Sequence, residues 1–180
     1  MDAYYNKIDN KILAIPTKNL FVWSIQNIGK VQIVGIDLML KKEWKFSENV
    51  EFNTAINYSF QKIEDISDKK GTTFKNQLAY FPKHTVQADF TLTGYKKMGF
   101  YLSNSTLSSR FVLNENSLSN LLKGFSTVDV TFFYKMSSSD KHSLKLHGTI
   151  KNCLNTSYQY ISYFVMPGRN YLITLSYAFN

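Results

Sequence analysis

The sequence predicts an all-β protein, an antiparallel transmembrane β-barrel portion of about eight long strands, and three observations predict it. Apolar and polar residues alternate with period two in segment after segment of the 180 residues. Aromatic residues make up 16% against only 8 Gly and 3 Pro, a balance that favours strands over helices or flexible linkers. The longest alternating run, 50–61, lasts twelve residues. Strands of soluble domains average about 5 to 6 residues, whereas a tilted strand crossing a bilayer needs about 9 to 11.

That run, VEFNTAINYSFQ, sets Val50, Phe52, Thr54, Ile56, Tyr58 and Phe60 against Glu51, Asn53, Ala55, Asn57, Ser59 and Gln61. Lys30 to Lys41 carries Val34, Ile36, Leu38 and Leu40 on one face, with a mixed face opposite that includes Asp37 and Lys41. Thr85 to Tyr95 opposes Val86, Ala88, Phe90 and Leu92 to Gln87, Asp89, Thr91 and Thr93. Val128 to Met136, Leu144 to Ile150 and Tyr171 to Phe179 alternate in the same way, and Tyr4 to Ile15 and Phe100 to Ser108 complete the set less regularly. Connectors are short at Lys41 to Phe46, Tyr95 to Gly99 and Ser137 to His142, and long at Lys62 to His84, Ser109 to Phe125 and Lys151 to Asn170. Short turns at one end and long loops at the other are the pattern of an outer-membrane barrel with an apolar exterior and a polar lumen.

Twenty-one Lys and Arg against 13 Asp and Glu leave a net charge of +8. Such a field suits anionic partners or plain solubility and does not choose between them. The single cysteine, Cys153, rules out an intramolecular disulfide and a thiolate metal cluster. His84, His142 and His147 lie in different segments without a carboxylate or second histidine at ligand spacing, so they read as hydrogen-bonding residues rather than as a metal centre. Neither a G-x-S-x-G nor a Gly-rich phosphate loop occurs, and no catalysis is expected. No run of about 18 apolar residues exists to form a spanning helix, and the start, MDAYYNKIDNKILAIP, lacks the basic and apolar pattern of an export signal.

The ending, NCLNTSYQYISYFVMPGRNYLITLSYAFN, resembles the carboxyl terminus of TonB-dependent outer-membrane receptors, where an NL-x-N/D-x-x-Y segment precedes a PGR turn and a final aromatic strand. Here these elements are Asn152 to Tyr158, then Pro167, Gly168 and Arg169 as the structural turn, then Tyr171 to Phe179. Upstream, NIGKVQIVGIDLMLK is similar to the family's N-x-G-x-x-x-x-x-G strand, and QLAYFPKHT to its Q-L-P-Y-x-P-K/R-H-T segment. Cys153 stands where the family usually has Leu, and Asn180 follows the aromatic that normally closes the last strand.

The resemblance, closest to cobalamin-type and siderophore-type receptors, implies that residues 1–180 are the carboxyl-terminal part of a plugged 22-stranded barrel. The plug, the TonB box and the earlier strands are expected to lie outside this sequence. It further implies a Gram-negative outer-membrane location with bilayer and lipopolysaccharide as surroundings, and contact with TonB only through the plug. Tyr171, Leu175, Tyr177 and Phe179 would be read by the barrel-assembly machinery. With the final strand ending in the periplasm, the long connectors face outward. A small-molecule ligand would then meet Tyr80, Phe81, Arg110, Tyr158, Tyr160 and Tyr163, which offer rigid aromatic area, hydroxyls and a cation; Tyr160 and Tyr163 equally suit an interfacial aromatic girdle. No cofactor and no nucleic acid are expected. The alternative is a soluble β-sandwich or small β-barrel module stacking oligonucleotides on its aromatics; strand length and the long–short rhythm of connectors count against it.

Overall fold

The computed structural model describes residues 1–17, 19–95, 97–138 and 142–179. Twelve strands form among them: β1 (Asp2–Asp9), β2 (Ile12–Pro16), β3 (Trp23–Asn27), β4 (Lys30–Ser47), β5 (Val50–Asp65), β6 (His84–Gly94), β7 (Met98–Leu107), β8 (Arg110–Phe111), β9 (Leu121–Leu122), β10 (Phe125–Ser138), β11 (His142–Lys151) and β12 (Asn170–Phe179). Eight of them build one antiparallel sheet in the order β1-β4-β5-β6-β7-β10-β11-β12. Chain neighbours are sheet neighbours throughout, as in an up-and-down barrel wall. The pairs β2–β3 and β8–β9 are separate two-stranded ribbons set inside two of the long connectors.

Every expected strand is present, with three changes. Tyr4 to Ile15 is not one strand: Asn10 takes a left-handed backbone (φ 56°), which ends β1 and starts the β2–β3 hairpin. Lys41 to Phe46 is not a turn. Its charged string hides continued alternation, so β4 runs 18 residues to Ser47 and the chain reverses at 48–49 before the 16-residue β5. Finally, 10–29 is a fourth long connector that the sequence reading passed over. The short connector at 95–97 includes Lys96, and the one after Ser138 consists of 139–141; both, with Asn180, fall wholly or partly outside the described residues. The first strand thus leaves from the short-turn rim, the last returns to it, and all four long connectors gather at the opposite rim.

Register sorts the side chains onto two faces, because directly paired residues point the same way. One face carries rows such as Trp44–Phe52–Leu92–Phe100–Phe132 and Leu40–Ile56–Ala88. The other carries hydroxyls, amides and carboxylates joined across strands: Ser59 Oγ donates to Asp37 Oδ1 (2.5 Å), the Tyr101 hydroxyl to Asp89 Oδ1 (2.5 Å), and Gln87 Nε2 to Ser103 Oγ (2.9 Å). Many of the apolar-face residues remain exposed in the chain alone, Leu40 at 59% and Leu175 at 63%. A one-sided apolar sheet of this extent must be covered by something.

The apolar band also slides across the sheet. On β5 it runs from Val50 to Phe60 and centres at 55–56; on β10 it runs from Val128 to Met136 and centres on Phe132. Phe132 registers through Phe100 and Leu92 with Phe52, so the centre has moved three to four residues (55–56 less 52) over three strand steps. Three to four rises of about 3.4 Å across three spacings of about 4.8 Å give a slope of roughly 35–45°. That is the tilt of about 35–45° found in membrane barrels, so the band stays level only if the strands lean.

Gly35 is required by a close approach. On the polar face of β4 it lies opposite Tyr4, whose ring covers it so closely that any Cβ would collide with the ring. This gives the second glycine of the N-x-G-x-x-x-x-x-G stretch its physical reason. Gly35→Val should expel the Tyr4 ring and destabilise the β1–β4 pair by about 1–3 kcal/mol, seen as a lower unfolding midpoint in detergent. Adding Tyr4→Ala should recover most of that loss.

Candidate functional site at the long-connector rim

The connectors are tied down by residues from the motifs singled out in the sequence. In the first motif Asn27 Oδ1 accepts the Gly29 N–H (2.8 Å), and Gly29 adopts φ 76° to bring the chain into β4. In the second, Gln77 Nε2 donates to the Phe81 carbonyl, while Asn116 Oδ1 accepts the Gln77 N–H (2.6 Å). Leu78, fully buried, packs with Val31 and Ile63, and Leu13, Ile28, Ile33 and Phe81 surround them. In the third, Asn152 is left-handed (φ 47°) and buried; its amide donates to the Thr156 carbonyl (2.8 Å) and its Oδ1 accepts the Thr156 N–H (2.9 Å). Asn155, also left-handed (φ 54°), accepts the Arg169 N–H (2.9 Å), and a Cβ on Gly168 would stand 2.7 Å from its Oδ1. The Asn-x-x-Asn and Pro-Gly-Arg pieces are therefore the two ends of one clasp on the last long connector.

Above the clasps sits an aromatic cluster drawn from all four connectors. The ribbon strand β8 presents Arg110, 2% exposed, whose Nη2 donates to the Gln159 and Tyr160 carbonyls (2.8 Å each). Its guanidinium lies 5.8 Å from the centre of the Phe125 ring, against which Tyr158 (4.7 Å) and Tyr160 (5.2 Å, edge-on) also pack. Burial pushes the Arg110 guanidinium below its usual range, while the Tyr80 and Tyr160 hydroxyls oppose the shift; an arginine so placed is still a cation at neutral pH. Tyr80, left-handed at φ 65°, donates its N–H to the Phe111 carbonyl (2.8 Å) and stacks on Trp23 at 5.4 Å. Burial pushes its phenol up, with Arg110 among the influences pulling it down. Burial likewise raises Tyr158. Farther out, Tyr163 pairs with Phe21 at 5.3 Å.

Of the expected ligand residues, then, Tyr80, Arg110, Tyr158 and Tyr160 come together, Tyr163 lies on the outer margin, and Phe81 belongs to the Leu78 cluster. Arg110 faces inward as a brace between connectors, whereas Trp23 (40%), Tyr160 (43%) and Tyr163 (63%) keep open surface. Two clefts open between the connectors. One, about 350 Å³, is lined by polar Gln26, Asn27, Asp65, Thr73, Asn114 and Glu115. The other, about 240 Å³, lies among Leu20, Val112, Leu122 and Tyr163. The sequence reading missed Phe21, Trp23 and Gln26; the FVW tripeptide, two of its three residues aromatic, was the available signal.

The remaining expected residues sit elsewhere. Tyr171, Leu175, Tyr177 and Phe179 share the apolar face of β12, whose outer edge is unpaired among the described residues. His84 meets Tyr58 and Phe60, His142 meets Tyr177 and Phe179, and His147 meets Phe133. Among the described residues no group of three or more His, Cys, Asp or Glu could hold a metal ion.

A family model described as TonB dependent receptor-like, beta-barrel, matches residues 1–152. Solved structures share the fold. BauA, the ferric preacinetobactin receptor from Acinetobacter baumannii, is 18% identical with a TM-score of 0.69, over 97% of this chain and 26% of its own. The siderophore receptor PiuA from Acinetobacter baumannii is 15% identical with a TM-score of 0.68, over 96% of this chain and 25% of its own. The ferric citrate transporter FecA is 18% identical with a TM-score of 0.64, over 83% of this chain and 24% of its own. The chain therefore spans about a quarter of the length of these receptors. No curated protein sequence matches it.

Proposed function

Because the chain belongs to the TonB-dependent receptor-like β-barrel family, we propose that it is the carboxyl-terminal part of the barrel of an outer-membrane receptor importing a scarce metal chelate of the ferric-siderophore class. The observation that carries this reading is the convergence of four long connectors on one rim, where Trp23, Tyr160 and Tyr163 keep exposed ring area above a braced aromatic cluster. Siderophore receptors among the similar structures favour that class over cobalamin. In this reading the apolar face meets lipid and lipopolysaccharide, the polar face lines a plugged lumen, and the long connectors face the exterior of a Gram-negative cell. The barrel-assembly machinery reads β12. Energy from TonB reaches the ligand through a plug outside residues 1–180, so these residues alone do not transport, and no catalysis is proposed.

Chemically, the exposed rings hold a chelate by stacking and by hydroxyl donation. Arg110 and Tyr158 act behind them, fixing the backbone at 159–160 so that the Tyr160 ring is presented in one orientation. Preorganised aromatic anchors of this kind each contribute about 1–3 kcal/mol to binding. In the full-length receptor, Trp23→Ala and Tyr160→Ala should each weaken binding of a ferric siderophore by roughly 10- to 100-fold by that principle. Equal affinity in both variants would remove these residues from the site.

Orientation is tested separately on intact cells, with single cysteines at Asp68, Leu118 and Ser157, and at Glu48 on the opposite rim, in a Cys153→Ser background. An impermeant thiol reagent should label the first three and spare Glu48; the reverse pattern would turn the barrel over.

A further inference from the structure

Among the described residues one charged side chain interrupts the apolar band. Lys42 of β4 falls on that face between Leu40 and Trp44, exposed and directly opposite Thr54 of β5. It makes no ion pair among the described residues. Thr54 does not take up the ammonium either, for it is 8% exposed and its Oγ1 has no hydrogen-bond partner among them. Register puts two carboxylates of the described strands on this face, Asp9 and Glu64. Both lie at the long-connector rim, and the nearer row, that of Glu64, is ten residues (64 − 54) along β5 from the row of Lys42. Asp140, outside the described residues, follows β10, four strand steps from β4. A cation facing hydrocarbon with no counter-charge is costly, and such residues mark sites.

Its depth identifies what it meets. The band centre moves about one residue per strand step, so from 55–56 on β5 it passes to Leu40 and Met39 on β4, the partners of Ile56 and Asn57. Lys42 stands two to three residues beyond, towards the short turns, or about 7–10 Å along the strand at about 3.4 Å per residue. That is within the half-height of a band about 25 Å tall. Trp44 comes two residues later, about 7 Å on, a distance matched by the reach of a flexible four-carbon stem. It is 38% exposed and packs on Phe52 at 5.3 Å, as aromatics at headgroup level do. A lysine rooted in hydrocarbon extends its ammonium to the nearest headgroups. Here these are at the short-turn end, where the Trp44 indole N–H supplies a second donor.

We infer that Lys42 and Trp44 bind the headgroup phosphate of a phospholipid in the leaflet on the short-turn side. The ammonium supplies the charge and the indole a hydrogen bond. This rests on the reading of the apolar face as lipid-facing, and adds to it a fixed lipid position on that wall.

The test titrates the full-length receptor in detergent with dioleoylphosphatidylglycerol and reads the fraction carrying lipid by native mass spectrometry. Lys42→Met keeps the stem and loses the charge, and should raise the Kd about fivefold, the worth of one lysine near a lipid surface. Lys41→Met, on the opposite face, should leave it unchanged. Equal Kd in the parent and Lys42→Met would overturn the inference. So would a carbodiimide-formed amide between Lys42 and a carboxylate of the receptor, which assigns the ammonium to protein. Brominated phospholipid in vesicles separates the two ways of failing, read on the part of the fluorescence that Trp44→Phe removes. Quenching without a Lys42 effect leaves the lipid-facing wall standing and removes the lipid site alone. Absence of quenching removes the lipid-facing wall, and the inference with it.

Discussion

Leu78→Ala should loosen the long-connector rim by about 3–5 kcal/mol without unzipping the sheet. Leu78 is wholly buried between Val31 and Ile63, with Leu13, Ile28, Ile33 and Phe81 closing the shell. Removing its branched end leaves a void that these residues cannot collapse into, because Val31, Ile33 and Ile63 are held in strand register and Gln77 is tied on both sides. The loss is local because the ends of 66–83 keep their own backbone bonds to the strands, Ile66 N–H to the Lys30 carbonyl (2.9 Å), Lys75 N–H to the Asp65 carbonyl (2.7 Å) and Gln61 N–H to the Lys83 carbonyl (2.9 Å), while Leu78, whose N–H goes to the Ile63 carbonyl (3.1 Å), sits at the void. The check is limited proteolysis in detergent. Cleavage should appear within 66–83 in the variant and not in the parent, while strand amides keep their exchange protection. Unchanged proteolysis would show that the connectors are held from elsewhere.

Ile56→Arg should cost about 2–4 kcal/mol when the receptor is unfolded by denaturant from a lipid bilayer, whereas Asn57→Arg one residue along should cost far less. Ile56 lies at the centre of the apolar band on β5, between Leu40 and Ala88, so in the proposed outer-membrane barrel a cation there is carried to the bilayer midplane. Asn57 pairs with Met39 and Gln87 on the polar face, where water or polypeptide can solvate the charge. The contrast between adjacent residues separates a lipid-facing surface from one buried against protein. Equal costs at both positions would mean that the apolar face is covered by something other than lipid.

Period two made the sheet legible, since a strand exposed to different surroundings on its two faces writes that difference into every second residue. The same signal misled at Lys41 to Phe46, where charges on a polar-lined face look like a solvated turn. Residues 16–29 stayed unread for a different reason. β2, ILAIP, is apolar throughout, and β3 alternates over only five residues, Trp23 and Ile25 against Ser24 and Gln26, too short a run to stand out. The candidate site was half visible: tyrosines and an arginine in long loops announced stacking surface and charge. Nothing local showed that Arg110 would be turned inward by carbonyls of residues 159 and 160, about fifty positions away. Contacts between loops depend on how the sheet brings their roots together, and that arrangement is written across the whole chain.

The sheet is built from hairpins, each closed by one long connector: β1 with β4, β5 with β6, β7 with β10 and β11 with β12. A piece with an odd number of strands would hand the following chain to the opposite side of the membrane and invert every later loop. A piece with an even number can be lost, duplicated or exchanged between genes while all other hairpins keep their sidedness. Barrel circumference can therefore change in steps of one hairpin, and each step brings its own long connector together with the two strands of wall that carry it.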